Sequence, residues 1–131
     1  MKKNKKQDLV YGIIGMGRFG EALAVTLAEA GKEVIVVDRD ENKIKEMRQY
    51  TEHAFICGNL SSETLREIGI QNCDVVIICI GEQVDISILT TMSVIEMGVP
   101  RVISKAVSSE QGAVLKKLGA DVVYPERDMA L

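Results

Sequence analysis

The sequence has no tryptophan, and aromatic residues make up only 4% of its 131 positions. A core built from this chain must be aliphatic: Ile, Val, Leu, Ala and Met. No apolar run reaches the roughly 18 residues of a membrane span; the longest, 75–81, reads as a buried strand. The basic start, Met1 to Lys6, is not followed by the apolar stretch of a secretory signal, so secretion is not expected. The three cysteines, Cys57, Cys73 and Cys79, show neither CxxC nor Cys/His zinc spacing. They read as reduced small hydrophobes of a cytosolic protein. The single histidine, His53, opens a strand with no carboxylate partner in sequence, which suits a structural or surface role. Ser and Thr occur without a nucleophile-elbow or P-loop pattern.

What is present is the balance of one soluble globular domain: 47% hydrophobic and 27% charged residues. The net charge is −3, yet four lysines stand within the first six positions, so the remainder is more acidic still. Such a domain is a poor generic nucleic-acid binder. Residues 1–7 read as a flexible basic tail, solvated or in touch with an anionic surface.

Short β-branched runs alternate with amphipathic stretches. Strands are expected at 9–14, 33–38, 53–57, 74–80, 101–104 and 121–124, and helices at 18–30, 40–50, 61–68, 84–97 and 108–118. Asp40 and Ser61 or Ser62 are candidate N-caps, and Ser108 with Gln111 forms a candidate capping box. Glu33–Asp38 is apolar throughout its interior, as parallel strands covered on both faces are. Six strands alternating with five helices imply an α/β fold, a Rossmann-like doubly wound parallel sheet of order 3-2-1-4-5-6.

Gly15-Met16-Gly17-Arg18-Phe19-Gly20 is a GxGxxG element between a predicted strand and a predicted helix. Gly15 permits the tight turn, Gly17 lets a diphosphate approach the backbone, and Gly20 lets helix and strand pack closely. The helix N-terminus offers free N–H groups to phosphates. Asp38, at the end of the second strand and followed by Arg39, can accept both hydroxyls of a ribose diol and would repel a 2′-phosphate. Adenine (di)nucleotide binding follows as the expectation. Asn59 and Ile80-Gly81 follow strands three and four and point to the same crevice. Asn59 suits an adenine edge or a plain turn. Arg18 suits a phosphate or solvent. Lys105, ending strand five, suits the crevice or a solvated strand end. Glu126 suits a metal or a loop.

An enzyme acting on a nicotinamide cofactor needs a substrate site and an acid–base group, and neither is evident. The helix at 84–97 carries apolar residues around much of its circumference. Leu89 and Met92, with Ile88, exceed what one sheet face needs, so part of that surface is expected to meet another subunit.

Tyr11 to Gly20, Val36-Val37-Asp38, Glu63 to Gly69, Cys73 to Gly81 and Leu118 to Met129 together resemble the N-terminal RCK domain (TrkA-N, regulator of potassium conductance). The chain is similar to cytosolic subunits of bacterial potassium uptake systems of the Ktr and Trk type. The resemblance implies a non-enzymatic gating role, cytoplasmic and peripheral at the inner face of the membrane, beside a membrane potassium-transporter subunit. It implies self-assembly as dimers and an octameric ring, with ATP or ADP, or NAD(H), in the crevice. By the same resemblance Gly15, Gly17 and Gly20 would hold phosphates and Asp38 the ribose. Arg18 would reach a phosphate, including across the dimer; Lys105 would lie near the nucleotide; Glu126 would help bind Mg2+ or Ca2+. The family's chain continues into a C-terminal ligand-binding domain, so residues 8–131 are expected to be the nucleotide-binding part of a truncated chain. Two alternatives share the motif: the cofactor half of an NAD-dependent oxidoreductase, and an NADH redox sensor.

Overall fold

Successive residues of the central strands are all apolar, so neither face can be left to water. The computed structural model, which describes residues 8–126, meets that demand with helices on both faces. The strands are β1 (Val10–Ile14), β2 (Glu33–Asp38), β3 (Ala54–Ile56), β4 (Val75–Ile78), β5 (Arg101–Lys105) and β6 (Asp121–Val123). The helices are α1 (Arg18–Glu29), α2 (Glu41–Met47), α3 (Ser62–Ile68), α4 (Val84–Glu96) and α5 (Ser109–Leu118). The basic tail expected at 1–7, and the chain beyond Glu126, lie outside the described residues.

All strand pairs are parallel, in the order β3-β2-β1-β4-β5-β6, as the alternation predicts. Neighbouring residues divide between two cores. Ile14, Val37 and Ile78 pack with Leu65 of α3 and Val94 of α4. Ile13, Val36 and Ile77 pack on the other face with Ala24 of α1 and with Ile44 and Met47 of α2. The chain steps outward from β1 to β3, then returns to β4 beside β1. The strand order reverses there, and the carboxyl ends of β1 and β4 diverge into a crevice.

The caps follow local chemistry. Asp40 accepts from the N–H groups of Asn42 and Lys43, and Ser61 from that of Thr64. Ser108 accepts from Gln111 N–H at 3.1 Å. Gln111 Oε1, however, accepts from Val107 N–H at 2.8 Å, one residue before the cap, so the reciprocal half of the expected box is displaced.

Several bounds differ from expectation. α2 stops at Met47 and not near Tyr50, because Tyr50 N–H turns to Met47 O in a tighter i−3 bond. β4 stops at Ile78: Cys79 N–H still bonds Ile14 O at 2.7 Å, but the pairings with β1 and β5 both end there. β3 keeps only the three residues that pair with β2. β5 gains Lys105, opposite Val123. A single 3-10 turn at Ile70–Asn72, absent from the sequence expectation, leads into β4.

Candidate functional site

A cavity of about 850 Å3 opens over the carboxyl ends of β1, β2, β4 and β5. Of the residues singled out in the sequence, Gly15, Met16, Gly17, Asp38, Arg39, Asn59, Ile80, Gly81, Lys105 and Glu126 line it together. Arg18, Phe19 and Gly20 do not. Phe19 packs into the core beneath α1, and Arg18 is exposed at the helix start. Met16 contributes only its backbone, since its side chain is fully buried in the core. His53 is exposed and away from the cavity.

The three glycines have three separate reasons. Gly15 takes a φ of +103°, and a Cβ there would stand 2.9 Å from the Cys79 carbonyl. Its N–H donates to Val37 O at 2.8 Å, which fixes the loop to β2. A Cβ on Gly20 would run into the Gly15 carbonyl oxygen, so this glycine sets the approach of α1 to the loop. Gly17 is different. Its φ is −70°, open to any residue, and beyond its two chain neighbours no atom lies within 4 Å of where its Cβ would stand. Neither a strained backbone nor packing requires glycine here.

Asp38 is held by the fold before any ligand arrives. Its Oδ2 accepts from Met16 N–H at 2.6 Å and its Oδ1 from Asp40 N–H at 2.7 Å. Each oxygen keeps a further acceptor site for an outside donor. The carboxylate therefore orients the glycine loop and faces the cavity at once.

At the opposite wall, Lys105 Nζ lies 3.2 Å from Glu126 Oε1. Cys79, just past β4, also lines the cavity. Burial pushes its thiol up to about 12, against a smaller opposing pull from the Lys105 ammonium. A thiol so placed stays protonated and inert near neutral pH. Among the described residues no group of three or more His, Cys, Asp or Glu stands together as a metal site. Glu126 would therefore need donors from outside this set to hold a cation.

The structure adds wall residues that the sequence reading left out, among them Lys43, Cys57, Gln83, Ile86 and Val107. Cys57 and Val107 lie just beyond β3 and β5, so the rule that ligands meet carboxyl ends of strands could have found them. Lys43 sits in the first turn of α2.

On the far side of α4, Ser87, Thr90 and Thr91 are buried while Leu89 is 57% and Met92 38% exposed. Thr91 Oγ1 donates to Ser87 O and meets Ser104 Oγ at 3.1 Å, and Gln111 Nε2 donates to Ser87 Oγ. The helix thus satisfies its polar groups inward and presents apolar ones outward. No helix among the described residues is long and apolar enough to cross a membrane.

A family model described as the TrkA-N domain matches residues 11–125. Ktr system potassium uptake protein C of Bacillus subtilis is 42% identical over 92% of this chain and 55% of its own length. Ktr system potassium uptake protein A of Vibrio alginolyticus is 39% identical over 97% of this chain and 58% of its own. The chain thus spans about half the length of the curated relatives it matches. Among solved structures, the GsuK channel bound to NAD superposes with a TM-score of 0.74 at 26% identity, over 90% of this chain and 21% of that one. GsuK bound to ADP gives 0.74 at 26%, over 93% and 32%. With the sheet order, the glycine loop and the length of the match in agreement, this chain belongs to the TrkA-N domain family.

Proposed function

We propose that this chain is the nucleotide-sensing part of a bacterial potassium uptake system and acts by binding, with no catalysis of its own. The observation that carries the reading is Gly17: a glycine unneeded by backbone or packing, at the helix N-terminus and on the cavity wall. A diphosphate passing close to the backbone supplies the missing reason. Asp38, with acceptor sites still free, suits the ribose diol. Asn59 and Ile80-Gly81 would flank the bound molecule, and Arg39 stands at the mouth.

The names of the relatives supply potassium uptake, and the GsuK structures supply two ligand classes, NAD and ADP. ATP or ADP is the preferred reading and NAD(H) the second. The second draws support from the fit of GxGxxG with a single ribose-binding carboxylate. Residues 8–131 are the nucleotide-binding domain of a longer protein, at the cytoplasmic face beside a membrane transporter subunit. The domain pairs with a second copy, and higher rings form from such pairs. Arg18, exposed at the start of α1, reaches a phosphate held by the neighbouring copy. Glu126 contributes to a divalent cation that accompanies the phosphates. Triphosphate and diphosphate then shift the assembly only through their difference in affinity for its states.

The test is a calorimetric titration of the purified chain with ATP, ADP, NAD and NADH, with and without magnesium. Preference for ATP or ADP supports the proposal. Preference for NADH with ATP ignored moves the function to redox sensing. No binding of any of the four refutes it.

A further inference from the structure

Lys105 and Glu126 line the same cavity and form one ion pair, but the two partners are held very differently. The Lys105 side chain is 11% exposed and that of Glu126 73%. The ammonium lies over Gly81, where a Cβ would meet Nζ at 3.2 Å, and its field reaches the Cys79 thiol. It is walled in at the end of β5. Glu126 belongs to no strand. It follows β6 and Tyr124, in the stretch by which the chain leaves the sheet.

An enclosed ammonium needs an anionic neighbour, because a lone charge in such a place is strongly unfavourable. A carboxylate that is mostly in water gives up its partner at little cost. The pair is therefore asymmetric: the cation cannot leave and the anion can. A polyanion entering the cavity would offer this ammonium a stronger partner than a single exposed carboxylate.

We propose that Lys105 is an exchange point: a phosphate group of the bound nucleotide takes the ammonium from Glu126, and occupancy of the crevice thereby frees the Glu126 carboxylate for another partner. The inference rests on the nucleotide reading above. Phosphate charge, more than base or sugar, drives the exchange at Glu126. By reciprocity, whatever holds Glu126 on Lys105 weakens the nucleotide by the same factor.

The experiment is a set of calorimetric titrations with ATP, ADP and adenosine in EDTA, so that no divalent ion recruits Glu126. The proteins are the unaltered chain, Glu126→Gln, Lys105→Met and the double variant, with Lys105→Arg as a charge-retaining control. Glu126→Gln should bind ATP and ADP about two- to fivefold tighter, the scale of a partly exposed ion pair, and leave adenosine unchanged. Lys105→Met should weaken ATP about tenfold or more, the scale of a charged hydrogen bond. In its background the Glu126→Gln gain should vanish, while Lys105→Arg should retain it. Three results overturn the exchange: no gain in Glu126→Gln, an equal gain for adenosine, or a gain that survives in the double variant, which would mean plain repulsion by the carboxylate. An unaltered chain that binds none of the three ligands instead removes the nucleotide reading beneath it, and the exchange with it.

Discussion

Gly17→Ala separates binding from folding more cleanly than any other change in the crevice. At φ −70° and ψ −172° an alanine is unstrained, and its methyl meets no atom of the chain. Restricting the unfolded chain stabilises by about 0.4–1 kcal/mol. Exchanging glycine for alanine at an N-cap costs roughly as much. The net change in stability should stay below about 1 kcal/mol, or about 4 °C in Tm for a domain of this size. The same methyl would project where a diphosphate approaches the backbone. Forcing one extra carbon into a filled contact costs about 1–3 kcal/mol, so affinity for ATP or ADP should fall between about fivefold and 150-fold. Gly20→Ala is the contrast: its Cβ collides with the Gly15 carbonyl, a backbone atom that cannot yield cheaply. It should lose about 3 kcal/mol and about 10 °C. Calorimetric titration and thermal unfolding of both variants decide the matter. If Gly17→Ala binds nucleotide as tightly as the unaltered chain, residue 17 does not face the ligand, and its glycine has no bearing on binding.

Three further outcomes are expected. The Cys79 thiol, raised to about 12 by burial, keeps a proton in the folded state that the unfolded chain gives up near 9. Its contribution is complete below 9 and is lost as pH rises toward 12, at up to about 1.4 kcal/mol per unit; urea midpoints at pH 8 and pH 10 should therefore fall further in the unaltered chain than in Cys79→Ala, and equal falls would contradict this. Gln111→Leu keeps volume but strips Val107 N–H of its acceptor and Ser87 Oγ of its donor, so urea unfolding should register a loss of about 2–3 kcal/mol, and a change under 0.5 would show that the bridge between α5 and α4 contributes little. Leu89→Glu, on the exposed face of α4, should leave monomer stability within about 0.5 kcal/mol while lowering self-association in analytical ultracentrifugation; unaltered association would move the pairing surface elsewhere.

A sheet covered on both faces was legible because Ile13-Ile14, Val36-Val37 and Ile77-Ile78 are apolar at successive positions, and its order because strands alternate with helices throughout. The place of the cavity followed from that order together with one glycine loop and Asp38. Strand and helix ends were read less well. Ile80 looks like strand, but the ladders of β4 with β1 and with β5 both end at Ile78. Tyr50 looks helical, and a tightened last turn decides otherwise. Side-chain direction within the motif was not legible either. The spacing names Met16, Arg18 and Phe19 alike, yet the turn sends Met16 inward, Arg18 to solvent and Phe19 against the core. The meeting of Lys105 with Glu126 joins the ends of two neighbouring strands across a whole helix, and no local pattern encodes it.

The two backbone bonds of Asp38 bear on how this crevice could change over evolutionary time. A shift toward a 2′-phosphorylated ligand begins, in crevices of this kind, by discarding the carboxylate at the end of the second strand. Here that step would also leave the N–H of Met16 without its acceptor and untie the entry to α2. An intermediate lacking Asp38 would be loosened before it gained a new preference. With the ribose role proposed for Asp38, ligand choice would be welded to the integrity of the first loop, and drift at position 38 is held back by folding in any case.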